Sequence, residues 1–289
     1  MKTTAFGKQL LELDNFHSNQ DKTMNKLSLI ISFVVCIIAM IIPTSLHAQK
    51  HVNENDTINI LWIGNSYTLY NDLPTMTKEI AEDVGIIINN TTVLKGGQRF
   101  SGHLKNPVLH ELLTKGEWDY VVIQELSTTP AYSSKYVMEH IYPYASEIDS
   151  IAHVYSPDVT TLFYMTWGHK NGSQRQTEYL LDDTYSLMQD RIINTYIDLA
   201  YELGGWCVPV GIAWKKVRAE YPEIELYNPD NTHPSLEGSY LAANTFFATL
   251  NGKPFVSNTA VKLDDDIKTI LQQCARNTVM ENKKILNIR

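Results

Sequence analysis

Residues 58–68 have the sequence Ile58-Asn59-Ile60-Leu61-Trp62-Ile63-Gly64-Asn65-Ser66-Tyr67-Thr68. The first six residues are mainly apolar and rich in β-branched side chains, which predicts a buried β-strand. Gly64 ends this strand, and a helix is expected over residues 74–84 with Pro74 in its first turn. Ser66 is therefore predicted at the carboxyl end of a first parallel strand, where open α/β sheets bind their ligands. A polar turn in which Ser66 only caps the helix is the alternative interpretation.

A serine hydroxyl needs a nearby base, and a group that orients this base, before it becomes a good nucleophile. The loop over residues 227–234 supplies both types of residue, Asp230 and His233, three positions apart. Asp230 could accept a hydrogen bond from His233 Nδ1–H and leave His233 Nε2 free to face Ser66. Pro234 predicts a helix over residues 235–250 that begins at this proline. The alternative is a turn in which Asp230 and Asn231 cap backbone amides and His233 is incidental.

The order of these two segments resembles the SGNH, or GDSL-like, hydrolase superfamily. The Gly-Asp-Ser of that superfamily's block I is matched by residues 64–66, with Asn65 in place of aspartate. Its block V, Asp-x-x-His, is matched in full by Asp230 and His233. The resemblance implies that Ser66, His233 and Asp230 form a catalytic triad.

Two further blocks are altered. Block II implies that the backbone amide of Gly96 or Gly97 helps to bind the oxyanion, together with the amide of Ser66. Block III normally has the form Gly-x-Asn-Asp, but this chain has Gln124-Glu125 after a predicted strand. Gln124 carries the same carboxamide donor on a longer stem and could complete the oxyanion hole. The altered blocks are similar to those of a secreted, Bacteroidetes-type variant of the superfamily.

Strands and helices alternate along the chain, which predicts an α/β fold with a parallel sheet covered on both faces. The resemblance implies a three-layer α/β/α structure with a flavodoxin-like order of five strands. Strands are expected near residues 58–64, 90–94, 119–124, 159–166 and 206–210. Helices are expected over residues 74–84, 107–115, 135–155, 176–203, 214–221, 235–250 and 264–281.

Four residues near predicted strand ends could contact substrate. Trp167 could stack on a sugar ring and His169 could donate to it, although a core tryptophan and a solvated histidine explain the same residues. Arg99 could bind a carboxylate through its guanidinium fork or be a solvated loop residue. Glu125 could bind a substrate hydroxyl or pair with Arg99.

The N-terminal segment has the pattern of a secretory signal. Residues 29–42 are almost wholly apolar, and a cleavage site is expected near Ala48. Residues 1–48 are therefore predicted to be an N-terminal extension and signal peptide that is removed, and residues 49–289 to be a single hydrolase domain. An uncleaved anchor is the alternative. The expected location is secreted or periplasmic, in a bacterium, with no stable membrane association after cleavage.

Composition limits the partners. The formal net charge of -8 argues against binding to nucleic acid. The histidines show no spacing typical of a metal site, and serine chemistry requires no cofactor, so no metal or cofactor is expected.

Cys207 and Cys274 could pair in an oxidising compartment, but Cys207 lies in an apolar run that favours a buried free thiol.

These observations predict a secreted serine esterase that hydrolyses O-acyl esters, chiefly O-acetyl esters, on carbohydrate. Its partner would be a small-molecule or polysaccharide ester. A uronic acid methylesterase is a close alternative, which Arg99 would suit. A carbohydrate-binding protein that keeps the fold without turnover is the other, motivated by the altered block III.

Overall fold

A central parallel sheet organises the computed structural model, which describes residues 57–173, 183–253, 255–256 and 261–289. Its strands are β1 (Thr57–Gly64), β2 (Ile87–Leu94), β3 (Tyr120–Ile123), β4 (Thr160–Tyr164) and β5 (Trp206–Val208). The spatial order is β2-β1-β3-β4-β5, which confirms the flavodoxin-like order. All these residues belong to one compact unit that spans His51–Arg289. The predicted signal segment lies outside the described residues.

The register of the sheet brings several strand ends to the same edge. Gly64 at the end of β1 pairs with Leu94 at the end of β2, and Ile63 pairs with Ile123 at the end of β3. Ile123 in turn pairs with Phe163 of β4. The loops that follow these strands therefore start side by side, as the position of a ligand crevice in this type of sheet requires.

Helices cover both faces of the sheet. They are α1 (Ser66–Leu69), α2 (Leu73–Glu82), α3 (Phe100–His103), α4 (Pro107–Leu113), α5 (Ser134–His140), α6 (Tyr142–Tyr155), α7 (Tyr185–Leu203), α8 (Val210–Glu220), α9 (Leu236–Asn251) and α10 (Asp265–Asn282), with short 3₁₀ turns at Tyr70–Asp72 and Thr129–Ala131. Helices α2, α9 and α10 pack together, and α4, α6 and α7 form a second group. This three-layer arrangement confirms the predicted fold class.

Helix α9 connects the core to the site. Every side chain from Gly238 to Leu250 in this helix is buried. Phe246 contacts Trp62 of β1 at a centroid distance of 4.7 Å and Tyr164 of β4 at 4.8 Å. Burial of an aromatic side chain contributes about 2–3 kcal/mol, so α9 is firmly held. The segment that precedes it, which carries His233, is held as a consequence.

Several predicted boundaries differ from the structure. The expected helix over residues 135–155 is two helices that meet at Ile141, because Pro143 lacks the N–H that a continuous helix needs and instead lies in the first turn of α6. Helix α8 begins at Val210 rather than near 214, and β5 is correspondingly shorter than expected. Residues 176–182 of the helix predicted over 176–203 lie outside the described residues. Helix α7 begins at Tyr185, after its cap residue Thr184.

Cys207 and Cys274 are both buried and free, in agreement with the thiol interpretation of Cys207. Within the part of the chain that the structure describes, no helix is long and apolar enough to cross a membrane.

Two isoleucines of neighbouring strands provide a test of this core. Ile60 of β1 is fully buried, whereas Ile87 of β2 is 49% exposed. We expect Ile60→Ala to lower the free energy of unfolding in urea by about 2–5 kcal/mol, because it removes packed methyl groups and leaves a cavity. Ile87→Ala, the matched control, should cost less than about 1 kcal/mol. Equal losses in the two variants would contradict the sheet position assigned to β1.

Candidate active site

Ser66 is the first residue of α1 and lies two residues beyond β1. The Asn65 side chain caps this helix by accepting a hydrogen bond from the Tyr67 amide at 3.2 Å. Ser66 is partly exposed, whereas Asn65 and Tyr67 on either side are buried. The turn from strand to helix therefore presents the Ser66 hydroxyl at the carboxyl edge of the sheet.

The Ser66 hydroxyl meets the imidazole predicted from the other end of the chain. Ser66 Oγ lies 2.9 Å from His233 Nε2, and His233 Nδ1 lies 2.6 Å from Asp230 Oδ2. In this pattern Nδ1–H of a neutral imidazole donates to Asp230, and Nε2 accepts from Ser66. The three side chains form one continuous hydrogen-bonded chain. Such a chain can activate a serine for attack on an acyl carbon.

The loop that holds Asp230 and His233 is closed by its own backbone. Asn228 N donates to His233 O at 2.8 Å. Asn231 at the tip has a φ of 61°, a left-handed conformation that asparagine adopts more readily than most residues. Asp230 Oδ1 accepts from the backbone amides of Thr232 and His233, each at 2.9 Å. Asp230 therefore both orients the imidazole and caps the loop. Its two interpretations, as an orienting acid and as a cap of backbone amides, are compatible.

Pro234 does not open the following helix as expected. It pairs with Tyr227 in an antiparallel bridge, and Ser235 caps α9 by accepting from the Gly238 amide at 3.0 Å. Because serine satisfies a free amide that proline cannot, the helix begins at Leu236.

The carboxyl group of Asp230 is acidic. Partial burial acts to raise its pKa, but the hydrogen bonds from the Thr232 amide and from His233 outweigh burial and lower the pKa from 3.8 to about 2. Asp230 is therefore ionised over the whole neutral and mildly acidic range. An ionised carboxylate at this position favours the imidazolium that forms when His233 accepts a proton.

Trp167 supports the His233 loop from inside the protein. Its ring stacks between Tyr67, at 4.6 Å, and Trp214, at 3.9 Å, with interplanar angles of 6° in both contacts. Its Nε1 donates to Thr232 O at 3.0 Å, directly before His233. Trp167 is 0% exposed, so a sugar ring cannot stack on it. Trp167 is therefore a core residue, which was the alternative interpretation, and the expected stacking on a sugar is wrong.

Gln124 lies beneath the nucleophile turn. Its Oε1 accepts from the Asn65 amide at 2.9 Å and from Thr68 Oγ1 at 3.0 Å, and its Nε2 donates to Glu125 O. The side chain is 0% exposed. A Cβ atom on Gly64 would lie 2.6 Å from Thr68 Oγ1 and 2.9 Å from Gln124 Oε1, so glycine allows these two side chains to approach the strand end closely. The carboxamide predicted to face the oxyanion is engaged within the protein.

Glu125 is also internal, so it is not placed to bind a substrate hydroxyl. Its Oε2 accepts from the Phe100 amide at 2.8 Å, and its Oε1 accepts from Thr129 Oγ1 at 3.2 Å. Burial raises the pKa of this carboxyl, although these hydrogen bonds oppose the shift. Arg99, the possible partner of Glu125, is exposed and donates from Nη1 to Tyr136 Oη at 2.8 Å, and its charge also acts to lower the pKa of Glu125.

The glycine pair forms a turn beside β1. Lys95 N donates to Gly64 O at 3.2 Å, and Gln98 N donates to Lys95 O at 3.1 Å, so the turn carries Gly96 and Gly97 past the end of the strand. Gly97 has a φ of 68°, which favours glycine at this position. Both glycines are exposed. The turn is therefore exposed at the same sheet edge as Ser66, beside the end of β1.

His169 and His103 lie around the same centre. His169 is partly buried, and its pKa is lowered by burial and by the nearby His233, against an opposing effect of Asp230. His103 was not predicted as a site residue. It is buried, and its Nε2 lies 2.9 Å from Gly64 O, where it supports the nucleophile turn from below. Burial lowers its pKa, so the neutral form that donates to this carbonyl is favoured.

Tyr70 is the other residue that the sequence analysis missed. Its ring stacks on His233 with a centroid distance of 4.4 Å and an interplanar angle of 16°. Tyr67 contacts the same imidazole with its edge at 5.5 Å. The spacing of four residues between Ser66 and Tyr70 was the available signal, because such residues share one face of a helical turn.

The family of the chain follows from its sequence over the same region. Residues 58–282 match the family described as Domain of unknown function (DUF4886). The chain belongs to the DUF4886 family. No match to this sequence is found among curated proteins.

Solved structures similar to this DUF4886 chain share its fold. A DUF4886 family protein from Bacteroides uniformis ATCC 8492 aligns with a TM-score of 0.64 and 20% identity, over 79% of this chain and 97% of that one. A protein from Slackia heliotrinireducens with the provisional name SGNH hydrolase aligns with a TM-score of 0.53 and 26% identity, over 66% and 98%. The acetyl xylan esterase AlAXEase aligns with a TM-score of 0.50 and 12% identity, over 66% and 98%. At such low identity the first and third likenesses show the fold alone.

The hydrogen bonds of Asn65 predict that an aspartate, which stands at this position in the Gly-Asp-Ser motif of the SGNH superfamily that the sequence resembles, does not fit here. Asn65 Nδ2 donates to Gln98 O at 3.1 Å and to Glu125 O at 3.2 Å. Asn65→Asp would point an acceptor at these two carbonyls in a buried site. We expect a loss of about 1–3 kcal/mol in the free energy of unfolding, measured in urea at neutral pH.

Asn89→Asp is the matched control, because Asn89 is exposed on β2 and its Nδ2 donates to the Asn59 side chain at 3.2 Å. A loss confined to the Asn65 variant is expected. An Asn65→Asp protein as stable as its parent would show that the Asn65 contacts contribute little.

The low pKa of Asp230 predicts a specific loss of stability in acid. A carboxyl whose pKa falls from 3.8 to about 2 on folding contributes stability that is present above about pH 4 and is lost as the pH falls towards 2. Asp230→Asn removes this contribution. The difference in unfolding free energy between parent and variant should therefore shrink between about pH 4 and pH 2 in a urea titration series. A difference that stays constant with pH would contradict the shifted ionisation.

Proposed function

We propose that this protein is a secreted serine esterase that removes O-acyl groups, chiefly O-acetyl groups, from carbohydrate. The single observation that carries this proposal is the hydrogen-bonded chain from Ser66 through His233 to Asp230. The similarity to the SGNH-named protein from Slackia heliotrinireducens supports hydrolase chemistry. The signal-like N-terminal sequence supports secretion.

The chemistry proceeds in two steps. Ser66 Oγ attacks the acyl carbon while His233 Nε2 takes its proton, and Asp230 stabilises the imidazolium. The tetrahedral intermediate collapses, and His233 returns the proton to the departing sugar oxygen, which leaves an acyl group on Ser66. Water then gives its proton to His233 and attacks the acyl carbon, which releases the acid and restores the serine.

The negative oxygen of the intermediate needs donors near Ser66. The amide of Ser66 and an amide of the Gly96–Gly97 turn are the donors in this account, because the turn lies open beside the end of β1. Gln124 acts through Asn65 instead, since its Oε1 holds the Asn65 amide and its Nε2 is used by Glu125 O. Loss of one oxyanion donor typically costs about 3 kcal/mol of transition-state stabilisation, so catalysis with two donors is slower but feasible.

A uronic acid methylesterase is the second candidate, and Arg99 is the observation that favours it. Arg99 directly follows the glycine turn, is exposed, and could pair with a carboxylate on a neighbouring sugar. The two activities use the same Ser66 chemistry and differ in which side of the ester remains attached to the sugar.

The experiment measures hydrolysis by the purified protein, as acetate released from p-nitrophenyl acetate and acetylated xylan and as methanol released from a methyl-esterified polyuronate. Turnover should fall at least about 10³-fold in Ser66→Ala and His233→Ala. Ser150→Ala, an exposed serine of α6, is the matched control and should keep the parent rate. Preference for the polyuronate ester would support the methylesterase. A folded parent that binds these polysaccharides without turnover would contradict an esterase and support a binding protein.

A further inference from the structure

An aromatic ring stacks on His233, although the hydrogen bonds that join Ser66, His233 and Asp230 do not require this contact. Tyr70 covers one face of the His233 imidazole at 4.4 Å and an interplanar angle of 16°. Tyr70 is 38% exposed, so its ring is not held there simply by burial in the core. Its position must be set by its backbone and by its neighbours.

The backbone of Tyr70 is tied to both halves of the site. The Tyr70 amide donates to Ser66 O, which fixes it relative to the nucleophile. The next residue, Asn71, donates from Nδ2 to Ser235 O at 3.1 Å and to Ser239 Oγ at 2.8 Å, at the start of the helix that follows His233. Tyr70 is therefore clamped between the segment that carries the nucleophile and the segment that carries the base.

The clamp uses an unfavourable backbone conformation. Asn71 and Asp72 are consecutive non-glycine residues with positive φ angles, 54° and 48°. Such conformations persist only where surrounding contacts determine them, and they cluster at functional sites. Here the contacts are the two Asn71 hydrogen bonds and the Asp72 side chain, which caps α2 by accepting from the Thr75 amide at 3.4 Å.

We propose that Tyr70 is a positioning residue for the base: its ring holds the plane of the His233 imidazole so that Nε2 faces Ser66 Oγ and Nδ1 faces Asp230. The hydrogen bond to Asp230 acts at one ring atom and does not by itself support the plane of the imidazole. Contact with a flat ring removes that freedom. The face of an aromatic ring also attracts a cation, so the same contact stabilises the imidazolium formed during each proton transfer. This inference rests on the proposed serine chemistry.

The first test measures how readily Ser66 reacts with a fluorophosphonate, which needs no knowledge of the natural substrate. Tyr70→Leu removes the ring and should slow labelling about tenfold, because a misplaced base activates serine poorly. Tyr70→Phe keeps the ring and should restore the rate to within about a factor of two of the parent. Tyr155→Leu, the same change at another exposed tyrosine, should leave the rate unchanged.

Two outcomes would overturn the inference. Labelling of Tyr70→Leu at the parent rate would show that the stack does not position His233. Labelling of Tyr70→Phe as slow as that of Tyr70→Leu would assign the effect to the hydroxyl group instead of the ring. With p-nitrophenyl acetate, the loss in Tyr70→Leu should be in kcat, with KM nearly unchanged.

A second measurement tests the contact without any reaction. A tyrosine ring stacked on an imidazole shields its carbon-bound protons, so the His233 ring proton resonances should move downfield in Tyr70→Leu and stay near the parent position in Tyr70→Phe. Resonances unchanged in Tyr70→Leu would contradict the stack. A parent that shows the shielded resonances but does not react with the fluorophosphonate would contradict the proposed function and leave the stacking contact established.

Discussion

The hydrogen bond between Ser66 Oγ and His233 Nε2 joins residues that are 167 positions apart, and it forms only if two separate segments are held at one edge of the sheet. The Ser66 segment is held by β1, which lies between β2 and β3 in the sheet. The His233 segment is held by α9, whose burial fixes the position at which the chain enters that helix. Neither segment could be moved by one ångström without losing the bond, since a hydrogen bond of this type weakens steeply with distance and angle.

The sequence differs at Asn65 and at Gln124 from the SGNH motifs that it resembles, and these two residues are in contact. Asn65 replaces an aspartate and uses its amide group to donate to two carbonyls, while Gln124 accepts from the Asn65 backbone. An aspartate at position 65 could not donate when ionised. We interpret Asn65 and Gln124 as two parts of one hydrogen-bond network that supports the turn carrying Ser66. This chain has the residue types of a serine hydrolase at Ser66, Asp230 and His233, whereas the layer beneath Ser66 differs from the motifs that the sequence resembles.

Sequence patterns predicted the parts of this structure that depend on local rules. Apolar runs gave the five strands, and spacing identified Ser66, Asp230 and His233, which the structure brings together. Trp167 was ambiguous because an apolar aromatic near a strand end suits either a substrate platform or the core, and only packing against Tyr67 and Trp214 distinguishes them. Gln124 was ambiguous for a related reason: a carboxamide has a donor and an acceptor, and sequence does not say which faces the site. Tyr70 was missed because its spacing from Ser66 places it near the nucleophile but does not show that its ring stacks on His233, a residue far away in the sequence.

The most direct measurement is a rapid-mixing experiment with p-nitrophenyl acetate, followed by mass spectrometry of the peptides from quenched protein. The account predicts a burst of p-nitrophenol close to one equivalent per chain when deacylation is the slower step, and an acetyl group on the peptide that contains Ser66. Hydrolysis without an acetylated Ser66, or an acetyl group on a different residue, would contradict the central claim that Ser66 is the nucleophile.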